Sequence, residues 1–276
     1  MLWLNIEPNW VNHKVNIYTQ NKILFTMIKK IHLLDCGTLE FDLSYFTWKM
    51  NLGKLYRFPV WCTYVEHSEG DILIDTGYNL ENALKYYSWE KPIQSEEQRL
   101  ENQLKSIGKS PEDIDHVFIS HLHFDHAGNI KLFKNATVYV QKEEMRHAYV
   151  PEPFEAIGYS RETFDVQGIH YEYLNGNYTN FFEGLDIFLL PGHSAGHQVV
   201  VLDSHESGKI ILESDLINTQ WNLSKKIVGG IHLDAGKTYE SMLELEKFAK
   251  RSKGKVFLSH DADWFQTAKK GRDFYT

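Results

Sequence analysis

Residues 121–128 read HLHFDHAG and place three histidines and an aspartate within six positions, in the spacing H-x-H-x-D-H. Alternate side chains of an extended segment point to the same side, so His121 and His123 can reach one metal ion together. Asp125 and His126 follow where the segment turns, and they can serve a second ion. Neutral imidazoles and carboxylates are ligands that zinc and similar divalent metals use. A lone H-x-H is common by chance, whereas the full run predicts a metal site.

Three further segments supply the ligands that such a site lacks. LLPGHSAGH (189–197) places His193 after an apolar run, ILESD (211–215) ends on Asp215, and LSHD carries His260. Each of these residues taken singly is more often structural or exposed. Because each follows a predicted strand, and strand ends are where sites are commonly built, the segments together predict one shared site.

The composition excludes several classes of partner. The chain has 276 residues, with 29 Lys+Arg against 37 Asp+Glu and a formal net charge of −8, which is a poor match to nucleic acid. It has no apolar run of the roughly 18 residues that a membrane span needs. The N-terminus lacks the apolar core of a signal peptide, so we expect a cytoplasmic protein without a membrane partner. Cys36 and Cys62 are predicted to be buried free thiols, with a disulfide as the alternative.

The chain divides at Met27. Residues 1–26 show no clear period and are interpreted as an N-terminal extension of unclear role, with Met27 as an alternative start. Residues 27–276 are predicted to form one domain of layered α/β type. Helices are predicted at 95–107 and 239–249. Strands are predicted after Met27 and at 59–65, 71–75, 117–120, 137–140, 186–190, 198–203, 209–214 and 255–259.

These segments together resemble the metallo-β-lactamase superfamily. The resemblance implies an α/β fold, an αββα sandwich with a dinuclear site at one edge, and two divalent metal ions per chain, with Zn²⁺ as the expected metal. It also implies a role for each candidate ligand. The first ion is bound by His121, His123 and His193, the second by Asp125, His126 and His260, and Asp215 bridges both.

Two other residues match positions beside the family's site. Asp75, in LIDTG (73–77), matches a buried aspartate that supports a ligand histidine from behind. The alternative is a turn aspartate before Gly77. His197 matches a histidine that is frequently present without binding metal, and it is predicted to be structural.

Three stretches narrow the resemblance to the N-acyl homoserine lactonases: 58–77 (FPVWCTYVEHSEGDILIDTG), 120–129 (SHLHFDHAGN) and 191–198 (PGHSAGHQ). The resemblance covers residues 27–276. It implies that a hydroxide shared by the two ions opens the lactone ring of bacterial N-acyl homoserine lactone signals, which quenches quorum sensing. The implied partner is a small-molecule lactone, and the chain is expected to be a monomer or homodimer.

Three residues are assigned to the reaction itself. Asp125 is expected to pass a proton to the leaving ring oxygen. Phe124 is predicted either to line the acyl pocket or to pack in the core. Asn218 stands three residues after Asp215, where the lactonases usually carry a tyrosine that helps to hold the substrate carbonyl. Its amide can donate a hydrogen bond instead, so Asn218 is assigned to catalysis and substrate binding.

This departure leaves the substrate open. A pyridoxolactonase-like enzyme acting on a vitamin-B6-derived lactone is one alternative, and a thioesterase or phosphodiesterase of the same fold is another. The acidic charge balance disfavours an anionic glutathione thioester. A non-catalytic metal-binding protein is disfavoured because all seven ligands are present. The aromatic region 142–183 is predicted to be mostly a packed helical insertion, with an apolar wall for an acyl chain as the alternative.

Overall fold

The computed structural model describes residues 27–276 and contains two β-sheets packed face to face, with helices on both outer sides. The first sheet has the strand order β1–β2–β3–β4–β5–β6 and the second β11–β10–β9–β8–β7. The strands are β1 Ile28–Asp42, β2 Leu55–His67, β3 Gly70–Ile74, β4 His116–Phe118, β5 Thr137–Gln141, β6 His170–Leu174, β7 Tyr178–Phe182, β8 Leu185–Leu189, β9 Gln198–Ser204, β10 Gly208–Leu212 and β11 Lys255–Phe257.

Short helices connect the strands, and one long helix covers the second sheet. The α-helices are α1 Leu80–Tyr86, α2 Leu100–Ser106, α3 Phe124–Ala127, α4 Lys142–Tyr149, α5 Arg161–Phe164, α6 Gln220–Lys225, α7 Ala235–Ser252 and α8 Ala262–Thr267. Single 3₁₀ turns occupy Leu43–Tyr45, Ser88–Glu90, Glu96–Gln98, Pro111–Asp113, Ile130–Leu132, Ala156–Gly158 and Ser214–Leu216. Helix α7 includes the predicted 239–249 and extends it at both ends.

Successive residues of one strand enter different layers of the core. In β1, Leu33 packs between the sheets, whereas Leu34 packs under the helices of the first sheet. In β10, Ile210 lies between the sheets and Ile211 packs under α7. Both faces of each sheet are therefore apolar, and each such buried side chain contributes roughly 1.5–3 kcal/mol. This layering confirms the predicted αββα sandwich.

The sheet topology explains why the candidate ligands can meet. Strands β3 to β6 run parallel to one another, and β10 runs parallel to β11. The carboxyl ends of parallel strands lie at the same edge of their sheet. Asp75 follows β3, His121 follows β4, Asp215 follows β10 and His260 follows β11.

Two sequence predictions need correction. The predicted helix 95–107 is two pieces, because Arg99 between them is extended (φ −63°, ψ 137°). The capping box of Ser95 and Gln98 does form, but it begins the 3₁₀ turn. Region 142–183 is only partly helical, since its second half forms β6 and β7. These strands lie at the edges of the two sheets, where neighbours in space decide between strand and helix.

Three further predictions concern the cysteines, a membrane span and the N-terminal extension. Cys36 and Cys62 are buried and free, as predicted, with their Sγ atoms 3.7 Å apart. Within residues 27–276 no helix is both long and apolar enough to cross a membrane. The extension predicted for 1–26 lies outside the described residues.

Candidate metal centre

Three buried histidines converge on one point. His121 Nε2 lies 3.0 Å from His123 Nδ1, and His193 Nε2 lies 3.1 Å from each of these two atoms. All three side chains are almost completely shielded from solvent. These are the residues that the family resemblance assigned to the first metal ion.

A second group of donors lies beside the first. Asp125 Oδ2 is 3.6 Å from His126 Nε2 and 3.7 Å from His260 Nε2. Asp215 joins the two groups, because its Oδ1 is 3.1 Å from His126 Nε2 and 3.0 Å from His260 Nε2. Its Oδ2 is 3.6 Å from His193 Nε2. The structure thus brings all seven predicted ligands into one cluster.

Local backbone geometry makes the H-x-H-x-D-H run compact. His123 is the extended N-cap of α3, and Asp125 and His126 both lie within that single turn of helix. His193 follows Gly192, which adopts φ +134°. A Cβ at Gly192 would lie 2.2 Å from the Thr238 backbone nitrogen, so only glycine fits beside α7.

Four of the five cluster histidines are held through their other ring nitrogen. Such contacts fix the tautomer and aim the remaining lone pair at the metal position. The pairs are His121 Nδ1 with Ser120 Oγ (3.1 Å), His126 Nδ1 with Asp75 Oδ2 (2.9 Å), His193 Nδ1 with the Ile231 carbonyl (3.0 Å) and His260 Nδ1 with the Pro59 carbonyl (2.9 Å). The exception is His123, whose buried Nε2 has no partner among residues 27–276.

Asp75 lies directly behind the cluster. Its Oδ2 accepts from His126 and from Ser120 Oγ (2.8 Å), and its Oδ1 accepts from the Ser120 backbone N–H (2.7 Å). The residue is in the left-handed region (φ 58°), which aspartate tolerates better than most residues. The geometry fits the predicted support of a ligand histidine better than a plain turn aspartate.

The donor set fits divalent metal ions. Burial, reinforced by neighbouring histidines, lowers the pKa of His121 well below its usual value, and burial lowers the pKa of His193 to about 3. Both rings are therefore neutral, which is the form that binds metals. Buried His126 Nε2 and Asp215 Oδ1 have no well-aligned hydrogen-bond partner among the described residues. Cations at these positions would satisfy the converging lone pairs and the two carboxylates.

A pocket of about 190 Å³ opens above the cluster and is large enough to admit a small molecule. Its walls are mainly aromatic and aliphatic, formed by Phe41, Phe46, Phe58, Trp89, Phe124, Phe154, Ile157 and Ile231. Phe124 meets both of its predicted alternatives, since it lines this pocket and stacks on Tyr87 with ring centroids 3.6 Å apart. Asn218 also lines the pocket, and its backbone carbonyl accepts from the His260 N–H at 3.1 Å.

Sequence reasoning missed Glu144. This buried carboxylate accepts from the Leu122 N–H (2.9 Å), Ser194 Oγ (2.7 Å) and the Gly196 N–H (2.8 Å). It therefore ties the loop of the first two ligands to the loop of His193. Nothing in KEEM (142–145) distinguishes Glu144 from an exposed residue of a first helical turn, so the sequence offered no signal.

His197 is fully buried beside the cluster, with ring centroids 5.4 Å from His121 and 5.7 Å from His193. It belongs to none of the donor groups close enough to share an ion in the described part of the chain. Its structural role stays a prediction.

Comparison with known proteins agrees with this geometry. The family model of the metallo-beta-lactamase superfamily matches residues 55–260. N-acyl homoserine lactonase AiiA of Bacillus thuringiensis subsp. kurstaki is 31% identical over 244 residues, covering 86% of this chain and 94% of the relative. N-acyl homoserine lactonase AttM of Agrobacterium fabrum is 29% identical over 260 residues, covering 89% and 98%.

A solved structure gives the same result in three dimensions. An N-acyl homoserine lactone hydrolase, with the product N-hexanoyl-L-homoserine at its catalytic metal centre, superposes with a TM-score of 0.80 at 29% identity. The match covers 90% of this chain and 100% of that one. The chain therefore belongs to the metallo-beta-lactamase superfamily and, within it, to the N-acyl homoserine lactonase family.

Proposed function

We propose that this protein is a metal-dependent hydrolase that opens the lactone ring of N-acyl homoserine lactones and so quenches quorum sensing. The observation that carries the proposal is the seven-residue donor cluster at the floor of an apolar pocket, in a chain of the lactonase family. The cluster supplies hydrolytic chemistry, and the pocket suits an acyl chain.

The donor geometry supports two metal positions. His121, His123 and His193 would hold one ion, Asp125, His126 and His260 the other, with Asp215 shared. We propose zinc, because histidine and carboxylate donors suit it. When bound, a pair of such ions supplies Lewis acidity toward the substrate carbonyl and a water made nucleophilic at neutral pH.

Asp125 is proposed to handle the proton of the leaving group. Its carboxylate belongs to the cluster and also lines the pocket, so it faces the bound lactone from the floor. Asp125 Oδ2 would take a proton from the attacking water. As the ester C–O bond breaks, the ring oxygen becomes an alkoxide, and the same proton, passed on from Asp125 Oδ2, converts it to the product hydroxyl.

Asn218 is proposed to orient the lactone carbonyl. Its side chain lines the pocket and makes no hydrogen bond to any residue within 27–276, whereas its backbone is fixed by His260. The free amide Nδ2–H can donate a hydrogen bond to the carbonyl oxygen. The family resemblance gives this role to a tyrosine hydroxyl.

The pocket walls support an acylated substrate over the alternatives. Phe154 and Ile157 are exposed at the mouth, so an acyl chain can run from the cluster towards solvent along apolar side chains. No lysine or arginine lines the described pocket, which disfavours an anionic glutathione thioester. A cytoplasmic location and the choice between monomer and homodimer stay predictions from the sequence.

The test is proton release, followed with a pH indicator, when metal-loaded protein meets N-acyl homoserine lactones of varied chain length. We expect turnover by the wild type and loss of both metal and turnover in Asp215→Ala, with exposed Asp273→Ala as the matched control. A wild type that binds about two metal ions per chain and hydrolyses none of these lactones would refute the lactonase proposal.

A further inference from the structure

One carboxyl group in the pocket has no partner among residues 27–276. Glu90 is only 5% exposed, yet it lines the pocket together with Phe41, Trp89 and Phe124. Its side chain makes no hydrogen bond and no ion pair to any residue between 27 and 276. Neither carboxyl oxygen is among the fully enclosed, unpartnered side-chain atoms of residues 27–276, so the carboxyl group faces the open space of the pocket.

The neighbouring backbone holds Glu90 firmly in this position. Its N–H donates to the Tyr87 carbonyl at 2.9 Å and closes the 3₁₀ turn. The next carbonyl, that of Lys91, accepts from Arg57 Nη1 at 3.2 Å. Lys91 and Arg57 pair with Glu40 instead, since Lys91 Nζ is 2.6 Å and Arg57 Nη2 3.3 Å from its carboxylate oxygens. The fold therefore fixes the Glu90 backbone but pairs neither of these cations with the Glu90 carboxyl group.

The carboxyl group can therefore hydrogen-bond a molecule bound in the pocket, and such a bond would offset the cost of holding a polar group in apolar surroundings. Burial, with a further contribution from the charge on Asp125, raises the pKa of Glu90 to about 9. A carboxyl group in this position can accept a hydrogen bond from an amide N–H and, when protonated, can donate one to a carbonyl oxygen, which suits an uncharged amide or ketone.

We propose that Glu90 is a specificity residue that hydrogen-bonds the polar part of the acylamino group of the substrate. This inference rests on the proposed lactonase function. The group contacted is either the amide next to the lactone ring or an oxygen on the acyl chain, both of which are uncharged hydrogen-bonding groups in an otherwise apolar environment. Glu90 thus favours acylamino lactones over alkyl lactones that carry no such group.

The test compares three lactones of similar size on metal-loaded protein: N-hexanoyl homoserine lactone, its 3-oxo counterpart and γ-decalactone. The variants are Glu90→Leu, which removes the polar group, and Glu90→Gln, which keeps a donor and an acceptor. Glu101→Leu, at an exposed position on α2, is the matched control. The readouts are kcat/KM ratios between substrates, the metal content and the melting temperature.

We expect Glu90→Leu to lower the preference for N-hexanoyl homoserine lactone over γ-decalactone by about five- to tenfold, the effect of one hydrogen bond. Loss confined to the 3-oxo substrate would identify the chain oxygen as the contact. Glu90→Gln should keep the ratio within about twofold. The melting temperature of Glu90→Leu should not fall, because no partner within residues 27–276 is lost.

Three results would overturn the inference. Unchanged preferences of Glu90→Leu for both homoserine lactones over γ-decalactone would refute it while leaving the lactonase function intact. A parallel loss on all three substrates, together with a lower melting temperature, would show a merely structural role. Absence of turnover by the wild type on every lactone would refute the proposed function and the inference together.

Discussion

Replacing Asp75 by asparagine tests whether the group behind the cluster governs metal binding. Asparagine has the same shape as aspartate and also tolerates the left-handed backbone found there (φ 58°), so the fold should persist. Oδ1 can still accept from the Ser120 N–H. At the other oxygen, however, an NH₂ group would face His126 Nδ1, now 2.9 Å from a carboxylate.

The magnitude follows from the tautomer of His126. With the carboxylate present, the ring proton sits on Nδ1, and Nε2 offers its lone pair to the cluster. With an NH₂ donor in its place, His126 Nδ1 must accept a hydrogen bond. The ring proton then moves to Nε2, where it prevents that nitrogen from binding metal. Changes to such supporting groups cost about 10- to 100-fold in metal affinity, or about 1.4–2.8 kcal/mol.

The assay is competitive titration with a chelator of known affinity, which resolves the two binding steps. We expect Asp75→Asn to weaken the ion held by Asp125, His126 and His260 and to leave the other nearly unchanged. Asp273→Asn, at an exposed position, is the matched control. Wild-type affinity for both ions in Asp75→Asn would refute the reasoning. Asp75→Ala should weaken metal binding more than Asp75→Asn does, since alanine in the left-handed region also adds about 1–2 kcal/mol of backbone strain.

Three further predictions concern the cluster and the wider fold. A Cβ at Gly158 would lie 2.7 Å from His123 Cδ2, so Gly158→Ala should displace this ring and weaken metal binding about tenfold in the same titration. Chelation should lower the melting temperature by about 10 °C, because saturating metal stabilises by roughly 4 kcal/mol; an unchanged value would contradict a resident metal. Burial lowers the pKa of His32 and of His116 below the unfolded value of 6.5, so the unfolded chain binds more protons and stability is lost as pH falls below 6.5. His116→Gln should flatten that loss in denaturant titrations between pH 7 and 5.

The candidate ligands were predictable because their signal is local. The run HLHFDHAG contains four of the seven, and each of the others ends or follows a short apolar run that forms a strand. Parallel strands then bring these ends to one edge. The segments VFISH (117–121) and VFLSH (256–260) are an example. Each places its histidine just beyond the end of a strand that runs parallel to its neighbour.

Other parts of the fold depend on contacts that the sequence does not display. Arg99 interrupts an otherwise helical stripe, and strands β6 and β7 take their conformation from the sheet edges that they extend. Glu144 reads as an exposed residue, yet three donors from two loops surround it. Propensity and periodicity cannot reveal a residue whose partners lie far away in the chain.

The metal ligands that carry the chemistry have a local sequence signal, whereas the residues that set substrate specificity do not. The cluster is specified by short motifs, whereas the pocket wall is assembled from residues 41–46, 89–90, 154–158, 218 and 230–232, which share no motif. A change in such a segment can alter the substrate without disturbing the metal ligands. Asn218 and Glu90 both lie in this wall. For this chain, substrate ratios in variants of these two residues are therefore more informative about its natural lactone than metal content or overall fold.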